Sequence, residues 1–304
     1  MRIKVLGAAA GGGLPQWNCT CENCSALRRA SSCIQPRTQS QLAITGDEET
    51  WFLINASPDL REQLNRTPEI HPDPMKGLRN TPVEGVILTS ADLDHVLGLL
   101  LMREFTPVRI YASSTVRSIL QSNSFFQMLD RLPGQSRWTT IEPHVSVSLG
   151  GGVTCTPIAL PGSLPGYVAE KERMNLDASR ATIGLLFETS RGKRFAYLPA
   201  LSSVSPPLKD LLSTCSIVLV DGTFWKDGEL QSIQPGTPLA RSMGHMPISG
   251  VDGSLSALGD LAAVHKIYTH INNTNPILNE HRQERRAVYE AGWEVAWDGL
   301  EMTL

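Results

Sequence analysis

The sequence lacks an excess of basic charge, with 27 Lys and Arg against 30 Asp and Glu and a formal net charge of −3. This balance argues against a nucleic-acid partner, which a basic patch would indicate. No uninterrupted apolar run of about 18 residues is present, so no membrane-spanning helix is expected. Residues 1–7 are too short and too soon followed by glycines for a signal peptide. We therefore expect a cytoplasmic protein that does not insert into membranes.

Internal repeats and low-complexity segments are also absent, and the length of 304 residues allows one large domain or two smaller ones. Early predicted strands come in hairpin-like pairs and later ones alternate with helices, which favours an α/β or α+β fold with mixed sheets. The predicted strands cover residues 3–6, 41–45, 51–55, 85–88, 109–112, 153–159, 184–188, 194–198, 217–220 and 266–269. The predicted helices cover residues 58–64, 95–101, 114–129, 207–214, 256–263 and 279–291.

A glycine-rich segment, residues 7–13, follows the first predicted strand. Its Gly-x-x-x-Gly-Gly-Gly pattern differs from the fingerprint of dinucleotide-binding loops, and no helix-opening pattern follows it. A tight backbone turn is therefore preferred to a nucleotide site.

Three of the six cysteines, Cys19, Cys21 and Cys24, lie within six residues of one another. Three thiolates at this spacing can converge on one tetrahedral Zn²⁺, which then needs one further ligand. Candidates for that ligand are Cys33, a histidine from a C-terminal loop, or water; three unrelated free thiols are the alternative. We expect a structural zinc that ties down a loop at about residues 17–33. The other two cysteines, Cys155 and Cys215, lie in apolar runs and are expected to be inert.

The segment after the strand at 85–88 places Asp92, Asp94 and His95 within four residues, directly before an apolar helical pattern. Carboxylates and an imidazole at the end of a strand are typical of a metal site. The alternative is a helix N-terminus, where the dipole and capping favour Asp.

Several motifs in the same order resemble the metallo-β-lactamase superfamily, and within it most closely the coenzyme PQQ synthesis protein B family. They lie at residues 7–21, 55–59, 89–95, 220–225, 244–248 and 269–276. The resemblance implies a single domain over 1–304, an αββα sandwich of two mixed β-sheets with helices outside.

The superfamily signature, His-x-His-x-Asp-His, falls on Ser90, Asp92, Asp94 and His95, so its first two histidines are missing. No histidine is present at 160–163, and Ala200 stands where the resemblance places a bridging Asp. The first of the two metal positions in the hydrolases of the superfamily is therefore expected to have lost its ligands.

The second metal position keeps its ligands, which the resemblance places at Asp94, His95 and His270. Two imidazoles and one carboxylate suit Fe²⁺ as in non-haem oxygenases, and they also accept Zn²⁺ or another divalent ion. Asp92 either adds a fourth bond or hydrogen-bonds to a ligand. His245 is expected to handle protons, as in related tRNA-processing hydrolases, with Asp221 orienting a histidine or sharing that role.

The resemblance implies a role in making pyrroloquinoline quinone (PQQ), and the surviving ligands favour iron-dependent hydroxylation of a tyrosine-derived precursor. Two alternatives remain. One is a carrier or transport protein that binds PQQ or its precursor without turnover, and the other is a metal-dependent hydrolase. The expected partner is a small molecule, and a homo-oligomer is possible.

Overall fold

The computed structural model describes residues 1–304 and contains fourteen β-strands and eight α-helices. The strands are β1 (Arg2–Gly7), β2 (Gln41–Thr45), β3 (Trp51–Ile54), β4 (Val83–Ile87), β5 (Val108–Ala112), β6 (Ser136–Thr140), β7 (Val147–Gly150), β8 (Val153–Ala159), β9 (Ile183–Thr189), β10 (Arg194–Leu198), β11 (Ile217–Asp221), β12 (His265–Thr269), β13 (Trp293–Val295) and β14 (Glu301–Thr303). The helices are α1 (Glu22–Arg28), α2 (Leu60–Asn65), α3 (Leu93–Val96), α4 (Ser114–Ser122), α5 (Glu170–Arg173), α6 (Pro206–Ser213), α7 (Ser254–Ala257) and α8 (Gln283–Glu290). None of the helices is long and apolar enough to cross a membrane.

The chain forms two compact units, each assembled from separate stretches of sequence. The first unit comprises Met1–Leu6, Gln41–Gly192 and Gly299–Leu304. The second comprises Gly7–Ser40 and Lys193–Asp298.

The first unit contains a mixed sheet in the order β14-β1-β2-β3-β4-β5-β6. Strands β3 to β6 run parallel, whereas β1 pairs with β14, and β2 with β3, in antiparallel fashion. Leu53, Val86 and Ile110 of the parallel strands are fully buried in one hydrophobic core. Because β4 ends at Ile87, the acidic segment around His95 begins at the carboxyl edge of this sheet. An antiparallel meander, β7-β8-β9, completes the unit.

The second unit contains four parallel strands, β10 to β13. Their register pairs Asp221, the last residue of β11, with Thr269, the last residue of β12. Asp221 and His270 therefore emerge at the same edge. Tyr268 and Trp293 stack beneath it with ring centroids 4.2 Å apart. This packing explains Gly222, since a Cβ there would lie only 2.8 Å from the Cβ of Tyr268.

All ten predicted strands are present, and four further strands, β6, β7, β13 and β14, were not expected. The helix predicted at 256–263 is wrong in extent, because only Ser254–Ala257 is helical. The helix predicted at 114–129 ends at Ser122 and gives way to a 3-10 turn at Phe126–Asp130. The glycine segment forms a turn in which Gly12 and Gly13 have φ of 93° and 67°, in agreement with the predicted backbone role.

Candidate functional site

The imidazole of His95 is held by two hydroxyl groups in the first unit. Ser90 Oγ lies 2.8 Å from Nδ1 and donates its proton to Asp92 Oδ2 at 2.7 Å. Thr89 Oγ1 lies 3.3 Å from Nδ1 and donates to Asn55 Oδ1 at 3.0 Å. Because each hydroxyl has a single proton and gives it to another oxygen, both accept from the ring. The neutral imidazole therefore carries its proton on Nδ1 and presents the lone pair of Nε2.

Asp94 lies on the Nε2 side of the same ring. Its Oδ2 is 4.0 Å from Nε2 of His95, so the two ligand atoms that the sequence predicts face a common point. The helix that carries them is fixed by backbone bonds, from Ala56 N to His95 O and from Gly98 N to Ala56 O. Gly98 is required for this approach, since a Cβ there would lie 2.2 Å from the Ser57 carbonyl oxygen.

Ser90 and Asp92 stand where the signature of the superfamily has its two missing histidines. In the structure, both side chains belong to the hydrogen-bond chain that ends on His95. Asp92 precedes α3 but does not cap it with its side chain, which accepts from Ser90 instead. This geometry favours the supporting role for Asp92 among the two that the sequence allows.

Asp221 in the second unit is a buried carboxylate with four donors. Oδ1 accepts from the backbone N and the hydroxyl of Thr223, at 2.9 and 2.6 Å. Oδ2 accepts from Leu201 N at 2.9 Å and from Nδ1 of His245 at 2.7 Å. Burial alone would raise the pKa of Asp221, but His245, His270 and Thr223 together hold it below its ordinary value. With four donors, this carboxylate is suited to orient its neighbours. Ligand atoms of Asp221, His245 and His270 also lie within 4.8 Å of one another, so these three residues form a group that could hold a metal ion.

His270 is positioned by the same threonine. Thr223 Oγ1 lies 2.8 Å from its Nδ1, and the hydroxyl proton is given to an oxygen, so this ring also donates from Nδ1 and has Nε2 as the nitrogen that could bind an ion. His270 directly follows β12 and has φ of 54°, a left-handed conformation that is uncommon for any residue except glycine. His245 stacks on it with ring centroids 5.4 Å apart. Since Nδ1 of His245 donates to Asp221, its Nε2 is the atom that can exchange a proton.

The sulfur atoms of Cys19, Cys21 and Cys24 lie within 4.8 Å of one another. Burial raises the pKa of Cys21 to about 12, whereas hydrogen bonds from the Cys21 backbone, the neighbouring thiols and Asn273 outweigh burial and lower the pKa of Cys19. A cation such as Zn²⁺ fits this set because it stabilises several thiolates at once. Cys33 is outside the group, with its sulfur 3.0 Å from Ser31 Oγ.

Cys155 and Cys215 are buried, as the sequence predicts. Burial raises the pKa of the Cys155 thiol above its ordinary value and that of Cys215 to about 11, so both remain unreactive thiols near neutral pH.

Sequence reasoning missed three functional candidates, Thr223, Asn273 and Glu229. Thr223 and Asn273 lie inside motifs that carry the family resemblance, yet their partners come from distant parts of the chain. Glu229 accepts from Trp225 N at 2.6 Å and from the hydroxyl of Thr274, and burial raises its pKa to about 7. The sequence gives it no distinguishing signal, because it follows Lys226, Asp227 and Gly228 in a polar segment.

Comparison with known proteins places these features in a family. A model described as a beta-lactamase superfamily domain matches residues 50–271. Coenzyme PQQ synthesis protein B of Methylobacterium sp. (strain 4-46) is 40% identical over 304 residues, and that of Bradyrhizobium diazoefficiens is 42% identical over 310 residues. Each alignment covers 100% of both chains. The chain belongs to the coenzyme PQQ synthesis protein B family.

A solved structure of the family agrees over the full length. The crystal structure of Zn(2+)-bound PqqB from Methylobacterium extorquens is 37% identical, with a TM-score of 0.93 over 100% of both chains. Family and neighbour together confirm the fold class, a metallo-β-lactamase fold with two mixed β-sheets and helices. The ligand and catalytic residues named from the sequence, the single domain and the metals stay predictions.

Proposed function

We propose that this chain acts in PQQ biosynthesis as a metal-dependent hydroxylase of a tyrosine-derived precursor. Asp94, His95 and His270 are the proposed ligands of one Fe²⁺ or other divalent ion. The relatives that carry the name of coenzyme PQQ synthesis protein B support the pathway. The main observation in support of this site is that a hydroxyl group contacts Nδ1 of both His95 and His270, which leaves Nε2 of each ring as the proposed ligand atom.

When bound, such an ion supplies the redox chemistry that oxygen insertion into an aromatic ring requires. The chain supplies proton handling. Asp221 accepts from Nδ1 of His245, which fixes the ring and stabilises its protonated form, so Nε2 of His245 can take a proton from the phenol of the substrate. Thr223 joins this pair to His270, since its hydroxyl contacts Asp221 and both rings.

The hydrogen bonds of Ser90 and Asp92 favour hydroxylation over hydrolysis. Hydrolases of the superfamily use two metals, and here the two residues in the first metal position support His95. A second, structural ion is proposed at Cys19, Cys21 and Cys24. The zinc named for the Methylobacterium extorquens relative supports zinc as its identity. We place the reaction in the cytoplasm.

The test is a single-turnover assay on the full chain. Protein loaded anaerobically with Fe²⁺ is mixed with a tyrosine-derived amino acid, ascorbate as reductant and oxygen, and the product is analysed by mass spectrometry. A product heavier by one oxygen atom supports the proposal. Tight PQQ binding without product under any metal condition contradicts it and supports a carrier.

His270→Asn provides the matched variant, because Asn tolerates the left-handed backbone better than most residues. We expect it to lose the active-site ion and the product while retaining one zinc per chain. Loss of both metals from a folded variant would contradict the assignment and make His270 a zinc ligand.

A further inference from the structure

The structure indicates which residue supplies the fourth ligand of the proposed zinc site at Cys19, Cys21 and Cys24. The sequence alone leaves that ligand open. The side-chain amide of Asn273, only 4% exposed, points at all three sulfurs. Its Nδ2 lies 3.1 Å from Cys19 Sγ, 3.6 Å from Cys21 Sγ and 3.3 Å from Cys24 Sγ. Neither Cys33 nor a histidine belongs to this cluster.

These distances match one corner of a zinc tetrahedron. With Zn–S of about 2.3 Å and Zn–O of about 2.1 Å, the fourth ligand atom lies roughly 3.6 Å from each sulfur, whereas the ion itself lies about 2.3 Å away. The observed 3.1 to 3.6 Å therefore places the end of the Asn273 side chain at the fourth corner and not at the centre.

The amide nitrogen is a donor and cannot bind zinc, but the amide oxygen can. Rotation of the terminal amide by half a turn exchanges Nδ2 and Oδ1. The two atoms are nearly identical in size, and only their hydrogen-bond partners distinguish them. Oδ1 of Asn273 makes no hydrogen bond here, so the turn gives up only the N–H···S contacts. We propose that Asn273 completes a Cys₃Asn zinc site through Oδ1.

The same residue links this site to His270. Asn23, which lies in helix α1 directly before Cys24, donates from Nδ2 to the carbonyl oxygens of Asn273 and Asn275, both at 2.9 Å. Asn275 in turn donates to the carbonyl oxygen of Gly222 at 2.9 Å, next to Thr223. Zinc bound by Asn273 therefore restrains a loop in which His270 lies three residues earlier. This second statement rests on the proposed role of His270, whereas the zinc assignment does not.

Zinc affinity of the full chain, measured by competition with a chromophoric chelator, tests the ligand. Asn273→Ala should weaken zinc binding by at least tenfold, and Asn273→His should restore it as a Cys₃His site. Asn273→Asp separates the two ways in which Asn273 could act. Aspartate offers oxygen but no N–H, so retained affinity supports ligation, and affinity as weak as that of the alanine variant would overturn it in favour of N–H···S donation.

Cys33→Ser is the matched control and should leave the zinc affinity unchanged. Circular dichroism verifies that each variant is folded. Zinc affinity unaltered in folded Asn273→Ala, or lost in Cys33→Ser, would overturn the proposal. His270→Asn should not change zinc affinity, which keeps this result separate from the hydroxylase test. Hydrogen exchange of residues 270–276 should slow on zinc addition in the wild type but not in Asn273→Ala.

Discussion

The hydroxyl of Ser90 lies 2.8 Å from Nδ1 of His95, at a position where the superfamily signature has a metal-binding histidine. Ser90 donates its own proton to Asp92 and accepts from the ring, so it supports His95, one of the proposed ligands. In the proposed site, a residue at the first metal position of the signature thus serves the single ion of the second position.

We predict that Ser90→Ala weakens binding of the active-site ion by about 10- to 100-fold, the usual effect of removing a hydrogen bond behind a histidine ligand. Titration calorimetry with Fe²⁺ or Mn²⁺ under anaerobic conditions measures it. Ser90→Thr keeps a hydroxyl and should bind nearly as well as the wild type. Equal affinities of the alanine variant and the wild type would show that Ser90 does not orient His95.

Thr223→Val should weaken binding of the same active-site ion and should also shift the pH profile of turnover. The valine cannot accept from Nδ1 of His270, and it leaves Asp221 without its 2.6 Å donor. Asp221 then keeps a stronger hold on a protonated His245, so the limb of the profile that reports this histidine should move to higher pH. Thr223→Ser retains the hydroxyl and serves as the control. An unchanged profile in Thr223→Val, with normal folding, would argue against the shared network.

Glu229 should make the protein less stable as the pH rises. Burial raises its pKa to about 7 in the folded chain, above its ordinary value of 4.5, so the folded state holds the proton longer than the unfolded state. The loss of stability grows as the pH rises from 4.5 to about 7 and is complete above that range, where it amounts to roughly 3 kcal/mol. Glu229→Gln should remove this slope in urea unfolding between pH 5 and 8. Exposed Glu49→Gln is the control, and an identical slope in both variants would refute the argument.

The sequence predicts most of the two sheets but misses four strands for a common reason. Each of β6, β7, β13 and β14 pairs with one neighbour only, so these edge strands are short and partly polar and give little periodic signal. The cysteine spacing and the pair Asp94 and His95 are readable because their partners are adjacent in sequence.

The roles of Asn273 and Thr223 could not be predicted from the sequence in the same way. Asn273 is 254 residues from Cys19 and Thr223 is 47 residues from His270, so their roles exist only once the chain is folded. A hydroxyl or an amide in a loop has no distinguishing pattern, and only its neighbours reveal what it does.

The backbone hydrogen bonds that join Ala56 to His95 and to Gly98 also affect local opening of the structure. Their amides lie under a close contact between Gly98 and the Ser57 carbonyl, in a segment that cannot shift without parting from the end of β3. Opening of this segment therefore requires its separation from the end of β3, and we expect such opening to be rare. The amide protons of Ala56 and Gly98 should accordingly exchange more slowly with solvent than those of the exposed loops.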